Sequence, residues 1–126
     1  MVKNMINVVI CDDNEKFSNT FSKVITWFLK GEGFYVNVTI ISNYEKDFDK
    51  TLELNNQIYI LGINNENIVK KIKDLNMAIP ILIMNDKCKK KFFDFLSGST
   101  NLKDDGKKLF QKQKLFNLKI KILIIL

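Results

Sequence analysis

Apolar and polar positions change period repeatedly along this chain. Ile6 to Cys11 is a short apolar run, and beyond Asp12 and Asp13 the spacing lengthens. From about Glu15 to Lys30, Phe17, Phe21, Val24, Ile25 and Phe28 recur at helical intervals. Asp13 or Asn14 supplies the helix cap, and Gly31 and Gly33 mark its end. Tyr35 to Ile41 alternates and is rich in β-branched residues, which predicts a second strand. Asn43 to Leu54 predicts a weaker helix with Phe48 and Leu52 facing inward. Ile58 to Leu61 is a run suited to a strand buried on both faces. Glu66 to Leu75 is helical, with Ile68, Ile72 and Leu75 on one side and Lys70, Lys71 and Lys73 outward. Pro80 then opens a fourth strand, Ile81 to Met84.

After Asp86 the pattern loosens. Lys87 to Lys91 is a charge run around Cys88, and Phe92 to Ser97 reads as a fifth strand. Leu102 to about Phe116 reads as a last helix, starting near Asn101 and interrupted at Gly106. The competing assignment makes Lys87 to Leu96 the fourth helix and puts the fifth strand at Phe116 to Ile122. The apolar run Ile120 to Leu126 is expected to be covered, since left bare it would invite aggregation. Alternating strands and helices predict an α/β fold: a doubly wound, parallel, five-stranded sheet in one domain. Residues 6–85 carry the regular part and 86–126 the atypical part.

Composition narrows the chemistry. With 126 residues, 46% of them hydrophobic, the chain can bury a single core. All 20 basic residues are lysine, and the formal charge is +6. Without histidine there is no Ser-His or Cys-His nucleophile pair and no His-ligated zinc. Without arginine there is no bidentate fork for guanine edges or phosphates, so a nucleic-acid partner is disfavoured and a solvated lysine surface expected. Two cysteines and the lack of a secretory pattern at the start fit a cytoplasmic protein. No apolar run reaches the roughly 20 residues of a membrane span.

Val8-Val9-Ile10-Cys11-Asp12-Asp13-Asn14-Glu15 resembles the first strand and acidic turn of response-regulator receiver domains. Ile58-Tyr59-Ile60-Leu61-Gly62-Ile63 resembles their third strand, especially that of LytTR-type regulators. Pro80 to Asp86 resembles the fourth, and Asp94 to Ser99 can be laid on the fifth. The resemblance covers residues 6 to 85 well and 92 to 116 poorly, and it implies the flavodoxin-like strand order. It also implies a pocket in which an aspartate takes a phosphoryl group while acidic side chains hold Mg²⁺.

The pocket departs from that pattern at four positions. Gly62 stands at the phosphoacceptor position, Asn85 replaces a Thr or Ser, and Gly98-Ser99 replaces Lys-Pro. The loop after Gly62, with its usual Met-Pro, is trimmed so that Gly62 to Glu66 passes straight into a helix. Glycine has no nucleophile. The expectation is therefore a degenerate receiver, with Asp12, Asp13, Asn85 and Gly98 as a vestigial pocket, no catalysis and no required cofactor. Asp12 and Asp13 could still bind Mg²⁺ weakly, or could simply favour the N-terminus of the following helix. Function would then rest on contact with a protein partner or a second copy through the C-terminal half. The alternatives are a working phosphorelay receiver with a displaced acceptor such as Asp86 or Asp12, and a basic nucleic-acid binder. Cys88 among lysines could have a lowered thiol pKa; an incidental cysteine is the simpler reading.

Overall fold

The structure, a computed structural model, describes residues 5–62 and 65–98. The chain divides into two compact units, Met1–Asn85 and Asp86–Leu126.

The first unit begins with β1 (Met5–Cys11) and α1 (Glu15–Gly31), followed by β2 (Tyr35–Ile41). A single α-helical turn, α2 (Tyr44–Asp47), runs into a 3-10 turn at Phe48–Glu53. Then come β3 (Gln57–Leu61), α3 (Glu66–Leu75) and β4 (Ile81–Ile83). All strand pairs are parallel, and the order is β2-β1-β3-β4. Among the described residues this is an α/β unit with a four-stranded parallel sheet in place of the five strands expected, compatible with a flavodoxin-like fold.

Burial follows from strand alternation. Val8, Val9, Ile10 and Cys11 of β1 are wholly buried, and every residue of β3 from Gln57 to Leu61 is buried, so the two central strands are covered on both faces. On one face Val9, Cys11, Ile41, Tyr59 and Leu61 pack with Phe48, Ile68 and Ile72. That cluster joins the 3-10 turn and α3 to the sheet. α1 lies against β1 and β2 and buries Phe17, Phe21, Ile25 and Leu29. The Phe17 and Phe21 rings stack with centroids 5.3 Å apart.

Local chemistry sets the element ends. The Asn14 side chain accepts from Phe17 N at 3.0 Å and caps α1. Asn43 does the same for α2, and Asn65 accepts from Asn67 N and Ile68 N at the start of α3. After α1, Gly33 takes φ +90, a conformation glycine adopts without strain. At the opposite end of the sheet, Asn7 N donates to Asn56 O at 3.1 Å, and Asn56 itself has φ 53, tolerable for asparagine. Thr51 gives its hydroxyl proton to Phe48 O at 2.7 Å. Tyr59 must then be the donor in its 2.9 Å bond to Thr51 Oγ1. The 3-10 turn is thereby tied to the middle of β3.

Three expectations need correction. Asn43 to Leu54 is not one helix: the α-helical turn ends at Asp47 and tightens to 3-10 geometry, although Phe48 and Leu52 do face inward. Leu75 is 50% exposed and not on the packed side of α3. Phe92 to Ser97 is not a strand, because it lies within α4 (Asp86–Gly98), the described element of the second unit. That segment contains no β-branched residue, so only its phenylalanines favour a strand, and these also fit the helical spacing that begins at Cys88. Cys88, Lys89, Phe92, Phe93 and Leu96 are buried or half-buried at helical spacing, while Lys87, Lys90, Lys91 and Asp94 are exposed. The competing assignment of a helix over Lys87 to Leu96 is the one observed. The predicted helix at 102–116, the alternative strand at 116–122 and the run 120–126 lie outside the described residues.

Asn14→Ala should lower unfolding free energy by about 1 kcal/mol through loss of the cap. Urea unfolding checks this: the midpoint falls while the denaturant slope stays unchanged.

Candidate functional site

The strand register brings the candidate residues to one edge of the sheet. Cys11 pairs with Ile41 on one side and Leu61 on the other, and Leu61 pairs with Ile83. Beyond these pairs the ladder continues by single bonds: Asp12 N to Ile41 O at 3.0 Å, Gly62 N to Cys11 O at 2.8 Å and Met84 N to Leu61 O at 2.8 Å. Asp12 and Gly62 are therefore neighbours at the C-terminal ends of the two central strands. Asn85 follows Met84 and is exposed.

Asp12 and Gly62 share one small space. A Cβ built on Gly62 would lie 3.0 Å from the Asp12 Cβ and closer still to its Cγ and Oδ2. Gly62 has no positive φ, so its backbone conformation is open to any residue. Space, not conformation, dictates glycine here. The Asp12 carboxyl occupies the volume through which a side chain at position 62 would have to leave the backbone.

Asp12 is 2% exposed and structurally engaged. Its Oδ1 accepts from Asn14 N at 2.9 Å, a turn that leads the chain into α1. Ser18 Oγ reaches Asp12 O at 3.5 Å from the first turns of that helix. Asp13, by contrast, is exposed. Among the described residues no group of three or more His, Cys, Asp or Glu side chains is placed to hold a metal ion. Asp12 acts in the turn, and Asp13 remains the solvent-facing acid beside it.

Tyr44 belongs to this edge as well, and its role was not visible in the sequence pattern. Its hydroxyl donates to Cys11 O at 2.6 Å. The same carbonyl accepts from Gly62 N, so α2, β1 and β3 meet on one oxygen. The one local signal was Asn43, which caps the helical turn that Tyr44 opens.

Gly98 belongs to the second unit. It closes α4, and its assignment to the pocket depended on a strand over Phe92 to Ser97 that is helical. Asp86, the candidate displaced acceptor, opens the same helix and is exposed, with its carboxyl 3.9 Å from Lys89 Nζ. Cys88 is a half-buried free thiol on α4. Cys11 is fully buried, and burial, reinforced by the neighbouring Asp12 charge, pushes its thiol up to about 12.

The chain was compared with family models, curated proteins and solved structures, and none of them matches it. Among the described residues no helix is long and apolar enough to cross a membrane.

Gly62→Ala should destabilise the protein by about 1–3 kcal/mol by overpacking against Asp12. In an Asp12→Ala background the same change should cost at least about 1 kcal/mol less; additive effects in the double-mutant cycle would contradict the shared space. The Cys11 thiol has its own signature. In Cys88→Ser protein, Ellman's reagent should find no reactive thiol until the chain is unfolded. Between pH 9.0 and about 12, the folded chain keeps a proton that the unfolded chain has released, so stability falls as pH rises through that window. Cys11→Ala should flatten that part of the alkaline stability curve.

Proposed function

We propose that this chain is a receiver-like signalling domain that does not accept a phosphoryl group and works by contact. The resemblance of its first, third and fourth strands to response-regulator receivers supports this reading, and so does the flavodoxin-compatible order β2-β1-β3-β4. The observation that carries it is the crowding at the acceptor position: Gly62 has no nucleophile, and the Asp12 carboxyl fills the way out from its backbone.

The chemistry explains why this matters. Phosphoryl transfer to a receiver needs a carboxyl oxygen free to attack in line, with cationic support for the charge that develops. Asp12 is the carboxyl nearest the acceptor position, but it is buried and bound to the turn before α1. A pocket of this kind cannot switch by gaining charge. Its partners, whether another protein or a second copy, would recognise a constant shape, and we assign that contact to the C-terminal half of the chain.

Incubation of the purified chain with acetyl phosphate and Mg²⁺, followed by intact mass spectrometry, tests the reading. The expected outcome is an unchanged mass for a chain whose circular dichroism shows it folded. Gain of one phosphoryl group, abolished by Asp12→Ala or Asp86→Ala, would overturn it and identify a displaced acceptor.

A further inference from the structure

The outer face of α1 carries a pattern that neither the core nor the pocket uses. Residues 16–31 contain no acidic side chain, and Lys16, Lys23 and Lys30 recur at intervals of seven. An α-helix drifts only about 20° per heptad, so three such positions form one nearly straight row. At 1.5 Å per residue the row is about 21 Å long, with about 10 Å between neighbouring lysines. All three are exposed, on the side of the helix opposite buried Phe17, Phe21, Ile25 and Leu29. Trp27, the single tryptophan of the chain, stands beside that row between Lys23 and Lys30 and is 65% exposed.

An indole left this bare is costly in water and useful at a boundary. Its ring is apolar with one polar edge, which suits the layer between headgroups and acyl chains. Lysines on either side suit an anionic version of that layer. The row is straight, evenly spaced and made of point charges, without the forked donors that select a fixed carboxylate geometry. Lipid headgroups diffuse laterally and can gather under each ammonium, whereas a folded acidic protein would need acids fixed at matching positions. The formal charge of +6 adds a general attraction in the same direction.

We propose that the outer face of α1 is a peripheral docking face for an anionic lipid surface. Lys23 and Lys30 meet headgroup phosphates, Lys16 extends the row, and Trp27 seats at the interface. The proposal is independent of what the Gly62 pocket does.

Trp27 is its own probe. The full chain is mixed with vesicles of phosphatidylcholine alone, and with vesicles that also contain phosphatidylglycerol. The anionic vesicles should shift Trp27 emission to the blue and carry the protein into the pellet, and added salt should reverse both. Neutral vesicles should do neither. Lys23→Gln combined with Lys30→Gln should lower partitioning about 30-fold, with an unchanged circular dichroism spectrum. Absence of both shift and co-sedimentation on anionic vesicles would overturn the proposal. So would undiminished binding of the double variant, which would move the attraction to other lysines. A blue shift with polyglutamate but not with vesicles would assign the face to an acidic protein and sink the lipid reading.

Discussion

Main-chain bonds between β1 and β3 fix Cys11 beside Leu61, and the arrangement of the sheet's C-terminal edge follows from that register. Both strands are buried on both faces, so a slip by one residue would turn Val9 and Cys11, or Tyr59 and Leu61, away from the cluster they complete. The next bond of the ladder, Gly62 N to Cys11 O, then brings the Gly62 backbone against Asp12. Tyr44 closes on the same carbonyl. Three segments far apart in sequence are held at one oxygen, which is why a short α2 and a tightened 3-10 turn suffice between β2 and β3.

Polar groups in this core serve alignment. Tyr59 donates to Thr51, Thr51 donates to Phe48 O, and Gln57 Nε2 reaches Thr51 O at 3.4 Å. Burial raises the Tyr59 pKa, even though the bond to Thr51 pulls the other way. A network of this size contributes modestly to net stability, but leaving any member unpaired would cost about 1–3 kcal/mol. It therefore favours the one placement of the 3-10 turn that satisfies them all. The exposed Lys71–Asp49 pair at 2.9 Å adds a surface tie of less than about 1 kcal/mol.

Much of the first unit could be read from its residues, because periods of two and 3.6 alternate there and each helix begins at an asparagine cap. Tyr35 to Ile41 and Glu66 to Leu75 are found at the expected bounds. Phe92 to Ser97 was misread for an identifiable reason. Phe92, Phe93 and Phe95 look like a strand when taken alone, but the helical face starts earlier, at Cys88, inside what reads as a charge run. Lys89, only 8% exposed, belongs to that face, and counting it as a solvated charge hides the period. At the candidate site, the sequence pointed to Gly62 as the odd residue but not to its cause. The crowding by Asp12 arises from strand pairing across some fifty residues, which no local pattern encodes. Tyr44 was missed on the same ground: its partner is a main-chain oxygen, which carries no residue identity.

The contact between Asp12 and Gly62 also imposes an order on change. Position 62 is closed to every residue with a Cβ for as long as the carboxyl at position 12 keeps its present place, so a side chain cannot be introduced there as a first step at low cost. Position 12 must vary first, and that disturbs the turn into α1, where Asp12 accepts from Asn14. An acidic side chain at the end of β1 thus acts as a latch on the identity of its neighbour at the end of β3.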